Sequence, residues 1–272
     1  MPNINPQDAP RNPAEQEKLR LIQNNFGAAA ANYVTSKVHA SGPDLAWLVE
    51  AAALTGTERV LDVATGGGHT AFALAPYAAE VVALDLTRPM LEVAQKEANA
   101  RGFTNIHYLE GDAQNLPCED ASFDVVACRY AAHHFPRVRQ AALEWARVLK
   151  PDGKLLLIDS TSPEEPEADA LLHEIEMLRD PSHVRNYRIS EWRTFLNEAG
   201  LMVNIAREEG TFLDIPSWTQ RIRTPPEAVA AIEQLMRNAS PSVRARLRIV
   251  ENDGVLGFTL PRVLIRALKR RT

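Results

Sequence analysis

Arg59-Val-Leu-Asp-Val-Ala-Thr-Gly-Gly-Gly-His-Thr-Ala71 decides the fold. Val60, Leu61 and Val63 read as a short buried strand, Gly66, Gly67 and Gly68 as a tight turn, and His69 as the start of a helix. A strand that feeds a glycine turn and a helix start is a ligand cradle. Glycine lets the backbone approach closely, and the free N–H groups of the first helical turn point at whatever is bound. Asp62 adds a carboxylate at the end of the strand.

Working outward, short apolar runs at 59–64, 80–85, 105–110, 123–128 and 153–159 read as strands of a parallel sheet covered on both faces. Helices fit between them. Thr87 is placed to cap one that starts at Pro89 and stops at Gly102. Val138, Ala141, Ala142, Trp145, Val148 and Leu149 lay an apolar stripe along another over 137–149. Such alternation predicts an α/β, doubly wound, Rossmann-like sheet with its ligand at the carboxyl ends of the strands.

Upstream, Pro2, Pro6, Pro10 and Pro13 lie among polar residues and predict a disordered arm over 1–13. Helical stretches follow over 14–25, over a segment holding Phe26, Tyr33, Lys37 and His39, and from Pro43 to Leu54. Together they make an N-terminal helical lid over 14–56, ahead of a ligand-binding core over 57–160. Downstream, a proline-broken acidic loop at 163–167 and a helix with Leu171, Leu172, Ile175 and Leu178 make a lid or substrate insertion over 161–190. The second half of the sheet with substrate-facing helices takes 191–272. Ser190 is expected to cap a helix over 191–199, Thr224 and Glu227 to form a capping box, and Ser240 to start another helix. Pro261 must bend the final strand or lie at an edge.

The 272 residues are 45% hydrophobic and 24% charged, as in an ordinary soluble globular chain. A net charge of −5 argues against a sequence-independent grip on nucleic acid, which needs a basic face. Cys118 and Cys128 supply neither a disulfide framework nor metal-ligand spacing. No apolar run reaches membrane-spanning length, and the N-terminus lacks a basic region followed by an apolar one. A cytoplasmic protein, monomeric or homodimeric, without membrane insertion or a nucleic-acid partner, is expected.

Further motifs occupy successive strand ends. Asp85, 19 residues beyond Gly66, can accept both hydroxyls of a ribose. Asp112, in Glu110-Gly-Asp-Ala113, can accept from the amino group of an adenine. The fourth strand delivers Arg129-Tyr-Ala-Ala-His133-His134-Phe135, and Leu149-Lys-Pro-Asp-Gly153 turns into the fifth. Gly66-x-Gly68-x-x-Ala71 alone also satisfies a dinucleotide fingerprint. Asp62 opposes that reading, because a carboxylate there repels a pyrophosphate and suits an ammonium and a sulfonium.

Residues 60–158 therefore resemble the class I S-adenosylmethionine-dependent methyltransferases, in the branch of small-molecule and quinone-biosynthesis C-methyltransferases. Ala64 stands where that family usually has its first loop glycine, and Asp152 where glycine is commoner. The resemblance implies a seven-stranded sheet with an antiparallel last strand. It implies that Asp62, Ala64, Gly66 and Gly68 hold the methionine part, Asp85 with its neighbour Leu86 the ribose, and Asp112 and Ala113 the adenine. Arg129 would lie near the methyl group, and the N-terminal helices, with Tyr33 and His39, would close over the cofactor.

A methyl acceptor such as a phenol, a quinone-like carbon or an amine must lose a proton, and histidine is the usual base. His134 and His133 stand at the right strand end, and adjacency predicts that one of them faces the pocket. The region 160–225 offers aromatic residues and arginines for a flat, anionic acceptor. His39, His134, Tyr187 and Trp218 are candidates to touch it, while Trp192 reads as core. His69, His107, His173 and His183 show no metal-ligand spacing with the others, so no metal is expected. The alternatives are an enzyme of the same fold that binds S-adenosylmethionine for cyclisation, isomerisation or decarboxylation, a nucleic-acid or protein methyltransferase, a nicotinamide dehydrogenase, and a non-enzymatic S-adenosylmethionine-binding or regulatory protein. The nucleic-acid class is disfavoured because the Asn/Asp-Pro-Pro-aromatic motif of the amino-methylating enzymes is missing after the fourth strand.

Overall fold

The structure is a computed structural model that describes residues 11–34 and 42–270 and, within the first of these stretches, the side chains as far as Asn24. Residues 1–10 of the expected arm, the side chain of Tyr33 and all of His39 lie outside the described residues.

Helix α1 runs from Pro13 to Val34, so the two helical stretches expected there are one. Asn12 and Glu15 start it as a reciprocal pair. The Asn12 side chain accepts the Glu15 N–H, and the Glu15 carboxylate accepts the Asn12 N–H, each at 2.9 Å. Helix α2, Pro43–Ala52, ends where Ala53 turns left-handed. Then strands and helices alternate: β1 Arg59–Val63, α3 His69–Leu74, β2 Glu80–Asp85, α4 Arg88–Ala100, β3 Ile106–Glu110, β4 Phe123–Arg129, α5 Val138–Val148 and β5 Leu149–Ser162. The last part of the chain forms α6 Pro166–Arg179, the short β6 Tyr187–Arg188, α7 Ile189–Glu198, β7 Leu201–Asp214, α8 Ile215–Gln220, α9 Pro226–Arg237, α10 Pro241–Arg246, β8 Val250–Asn252 and β9 Val255–Lys269.

The main sheet has the order β3-β2-β1-β4-β5-β9-β7, with β6 and β8 appended to β5 and β9. The first five strands are parallel, and β9 enters antiparallel between β5 and β7. This is the seven-stranded doubly wound sheet that the sequence predicts. The order reverses between β1 and β4, so a crevice opens at their carboxyl ends. Pro261 faces Gly210 of β7, beyond the last β5–β9 pair at Ser160 and Arg262, where the strand has no neighbour on its β5 side.

Three apolar clusters hold the layers together. One face of the sheet buries Phe123, Trp145 and Trp192, with the two indoles stacked at 6.4 Å. The other face buries Leu48, Leu74, Ala94 and Ala98. A third cluster joins α6 and α8–α10 to β9 through Leu172, Ile175, Trp218, Ile232, Met236 and Phe258.

Several expected caps are absent. Thr87 precedes α4, but its side chain caps nothing there, and its N–H donates to Asp85 at 2.9 Å. Ser190 lies inside α7 and donates its hydroxyl to Glu164, while Thr224 donates its hydroxyl to the Arg179 carbonyl. For Ser190 and Thr224 a distant acceptor wins the hydroxyl that local pattern assigned to the helix end. Ser240 does cap α10.

Candidate active site

A cavity of about 570 Å³ opens at the carboxyl ends of β1, β2, β4 and β5. Leu19 and Ile22 of α1 and Gly42–Asp44 at the start of α2 close one side, α6 and the loop after it another, and Trp218, Ile222, Leu213 and Leu260 a third.

The glycine turn supplies its floor. Ala64, Gly66 and Gly68 have φ of +55°, +55° and +86°. The position of the missing family glycine thus demands a left-handed backbone, and alanine adopts it. Asp152 has a φ of +62°, which gives the same reason for the glycine preferred there. Ala64, Thr65, Gly66 and Gly67 line the cavity. Gly68 does not. It starts α3, and a Cβ there would stand 2.5 Å from the Phe72 ring, so its bareness serves packing.

Asp62 departs from its expected place too. It is buried behind the turn and accepts the Thr65 hydroxyl at 2.6 Å. Burial pushes its pKa up to about 7, against the opposing pull of that hydroxyl and the Ala71 N–H. It organises the loop and does not line the cavity. Asp85 does line the cavity, and its carboxylate accepts the N–H of Gly66 and of Thr87, each at 2.9 Å. Burial raises its pKa. Leu86, Asp112 and Ala113 also line the cavity, and Arg11 forms an ion pair with Asp112.

Arg129 leaves the end of β4 almost fully buried. Its Nε donates to Asp44 at 2.5 Å, while Nη2 has no hydrogen-bond partner among the described residues. Next to it, Tyr130 has a φ of +50°, a conformation that costs a bulky residue of order 1–3 kcal/mol. Its N–H donates to the Ile158 carbonyl at 2.8 Å, and its hydroxyl accepts from Arg262 at 3.2 Å. This kink turns the chain into the short helical turn Ala132–His134.

Both histidines line the cavity, against the expectation of one. Their environments differ. His133 Nδ1 lies 2.6 Å from Asp159 Oδ1, and the same carboxylate accepts the His133 N–H at 3.0 Å. Since a carboxylate only accepts, Nδ1 carries the proton and Nε2 has the free lone pair. Burial pulls the His133 pKa down, but the charge and hydrogen bond of Asp159 outweigh it, so the pKa ends above the usual 6.5. His134 Nδ1 donates to the Ser182 carbonyl at 3.1 Å. Burial and the neighbouring His133 charge lower its pKa to about 4, so it is neutral at pH 7.

Of the other expected residues, Trp218 lines the cavity, with Arg179 over its ring at 4.7 Å. Tyr187 does not. It is buried edge-on against Trp192 and Phe195 at 5.4 and 5.3 Å. Arg185 and Arg188 face away, paired with Asp169 and Glu191. His173 and His183, apart in sequence from the other histidines, join them in space, with ring centroids 5.4 Å apart for His133–His183 and 6.4 Å for His173–His183.

Comparison with known proteins decides the family. A methyltransferase domain profile matches residues 61–157. The uncharacterized methyltransferase YcgJ of Bacillus subtilis is 38% identical over 90% of this chain and 98% of its own. The chain belongs to the S-adenosylmethionine-dependent methyltransferases. The crystal structure of YcgJ superposes on this methyltransferase with a TM-score of 0.81, over 84% of this chain and 98% of the other. The demethylmenaquinone methyltransferase of Deinococcus radiodurans is 37% identical over 55% of this chain and 64% of its own.

Family membership implies S-adenosylmethionine as cofactor. The residues fit such a group. The methyltransferase has a bare-backbone turn under the cavity, a carboxylate at the end of β2, and a buried guanidinium nitrogen that still needs an acceptor. Asp44, Asp159, Glu176 and Asn186 were not singled out from sequence. Asp159 had a readable signal, since it stands at the carboxyl end of a parallel strand, where ligands of this fold bind. Among the described residues no group of three or more metal-ligating side chains is arranged to hold a metal ion, and no helix is long and apolar enough to cross a membrane.

Proposed function

We propose that this methyltransferase moves the methyl group of S-adenosylmethionine to a small-molecule acceptor, with His133 as the general base. What carries the reading is the 2.6 Å His133–Asp159 contact in the wall of the same cavity that the glycine turn floors. When bound, S-adenosylmethionine supplies an activated methyl on a sulfonium and leaves as S-adenosylhomocysteine.

Asp85 would accept from the ribose hydroxyls while keeping the Gly66 loop closed. Asp112 and Ala113 would border the adenine, with Arg129 at the methyl end. His133 Nε2 would take the acceptor's proton as the new bond to the methyl forms and the old sulfur–carbon electron pair stays on sulfur. Asp159 would hold the imidazole in the right tautomer and stabilise its charge. The acceptor atom must lie in line with the methyl at about 3–3.5 Å, with water excluded. Leu19 and Ile22 of α1 supply the exclusion on one side. Lys18 ties that helix down by donating to the Pro181 and His183 carbonyls at 2.7 and 2.9 Å.

The aromatic wall of Trp218, Phe135 and Tyr130 with Arg179, Arg221 and Arg262 suits a flat ring with anionic character. The demethylmenaquinone relative makes hydroxylated rings the first class to test. The test is to incubate the protein with methyl-labelled S-adenosylmethionine and a panel of phenols, quinols and amines. One labelled methyl in product per S-adenosylhomocysteine released supports the reading. An altered acceptor that carries no label, with S-adenosylmethionine left unconsumed, would instead favour the non-methylating alternative.

Two further results are expected. Asp85→Ala weakens S-adenosylmethionine binding by about 1–3 kcal/mol in calorimetry, as lost hydrogen bonds at a buried charged group do. Unchanged affinity would remove Asp85 from the cofactor site. Next, the base must be neutral, and its pKa is raised above 6.5. The kcat should therefore fall as pH drops through that value and level off above it. A kcat that rises on acidification over the same range would contradict a His133 base.

A further inference from the structure

Two guanidiniums in the cavity wall keep donors that their ion pairs do not use. Arg129 ends β4, and Arg262 stands in β9 opposite Ser160, at the last β5–β9 pair. Both line the cavity, with side chains 5% and 15% exposed. Arg129 Nη2 and Arg262 Nε are buried and have no hydrogen-bond partner among the described residues. A guanidinium only donates, and it keeps its charge at any working pH. The missing partner is therefore an acceptor, however the neighbouring side chains are turned.

The charge of this corner has the same sense. Asp44 takes the Nε of Arg129 and lies 3.9 Å from Arg262. Arg262 Nη2 meets Glu209 at 3.1 Å, and Arg207 approaches that same carboxylate at 3.9 Å. Arg207 and Arg262 both lie over the Trp47 ring, at 4.5 and 4.9 Å. Three guanidiniums thus share two carboxylates in this set of ion pairs, and one positive charge is left over beside the cavity. A buried donor left unmade is costly, and an anion that accepts from it relieves that cost.

Sheet order says which ligand brings the anion. Asp85 ends β2 and Asp112 follows β3, on one side of β1, whereas β4 and β9 lie on the other side. Arg262 stands three strands from the glycine turn after β1, about 14 Å at the spacing of neighbouring strands. His133 follows β4 and Asp159 lies on β5, between the two arginine-bearing strands and the outer edge of the cofactor turn. The arginines therefore share a side of the cavity with the proposed base. We propose that Arg129 and Arg262 form a carboxylate subsite for the acceptor, which makes the acceptor a hydroxylated aromatic acid. Its hydroxyl proton goes to His133 Nε2 as the oxygen–methyl bond forms, the sulfur–carbon electron pair stays on sulfur, and the carboxylate accepts from the unused arginine donors and is unchanged. The inference rests on the methyl-transfer reading and on His133 as base.

The experiment compares the hydroxybenzoate isomers with the matching hydroxybenzamides, which keep the ring and the hydroxyl but lack the charge. Calorimetry on the S-adenosylhomocysteine-loaded protein comes first, then labelled methyl transfer. At least one acid should exceed its amide by roughly 10–100-fold in affinity and in kcat/KM, the size expected for hydrogen bonds to a charged group. Arg129→Lys keeps a cation on Asp44 but removes the guanidinium fork, and Arg262→Met removes the surplus charge. Each should reduce the acid-to-amide ratio severalfold, chiefly through the KM of the acid. S-adenosylhomocysteine affinity should be unchanged in Arg262→Met, which also reports that the variant is folded. An unmodified protein that prefers no acid to its amide overturns the proposal, and so does a ratio that survives either variant. If Arg262→Met loses affinity for S-adenosylhomocysteine but not for its decarboxylated analogue, the corner holds the cofactor's carboxylate and the acceptor assignment falls. If the unmodified protein binds no S-adenosylmethionine, the methyl-transfer reading fails and takes this inference with it.

Discussion

His133→Ala slows methyl transfer by about 10²–10⁴-fold, the range for loss of a positioned general base, while S-adenosylmethionine binding is little changed. The expectation comes from the contrast between two adjacent imidazoles. Asp159 is wholly buried, and its carboxylate also accepts the Ser160 N–H at 2.8 Å, so it cannot swing away from the His133 ring. It fixes Nδ1 as the protonated nitrogen and holds the pKa up. Asp159→Asn should reproduce much of the loss, because an amide no longer enforces the tautomer or supports the imidazolium. His134 is held differently. Its Nδ1 donates to the Ser182 carbonyl, which pins the loop after α6, and its pKa of about 4 leaves it a weak base. His134→Ala should therefore cost stability, about 1 kcal/mol for one hydrogen bond, before it costs chemistry. Steady-state rates and calorimetry on the three variants check this. A His134 variant with a larger rate defect than the His133 variant would reverse the assignment.

Asp44→Ala destabilises the protein by about 3–5 kcal/mol, the cost of leaving a buried charge without its partner. Asp44 is 2% exposed and Arg129 5%, and the two meet at 2.5 Å. Arg262 approaches the same carboxylate at 3.9 Å and also donates to Tyr130. The pair joins α2 to the end of β4, so its loss also frees the guanidinium that borders the cavity. Urea denaturation measures the effect. A loss below about 1 kcal/mol would place the pair among ordinary surface ion pairs and remove the link between α2 and the cavity.

The sheet was legible in the sequence because its central strands are buried on both faces. Continuous apolar runs such as Val81–Leu84 and Val125–Cys128 can serve little else, and their spacing leaves room for one helix each. One side of the cavity was legible for a related reason. Ala64, Gly66, Asp85, Leu86, Asp112 and Ala113 lie within a few residues of strand ends, so strand placement carries them to the cavity. Asp62 and Gly68 were placed one layer too far forward. Sequence located them at the turn but not the direction of their side chains, which is set by Thr65 and Phe72.

The opposite wall was less legible. Tyr187 looked like a wall of the cavity and is a core aromatic, because Trp192 and Phe195 enclose it. The loop that carries His183 and Asn186 is tied by backbone bonds to a histidine turn some fifty residues earlier, and no local pattern encodes that closure. The lost caps at Ser190 and Thr224 have the same cause. Where tertiary contacts compete for a polar side chain, spacing along the chain does not decide its partner.

The central claim is that the cavity over Ala64–Gly67 is a site for S-adenosylmethionine. Calorimetric titration of the purified protein with S-adenosylmethionine, S-adenosylhomocysteine and NAD tests it most directly. Micromolar binding of both adenosyl ligands, weakened in Asp85→Ala, with no heat from NAD, is the predicted result. Binding of NAD without either adenosyl ligand would contradict it and return the glycine turn to a dinucleotide reading.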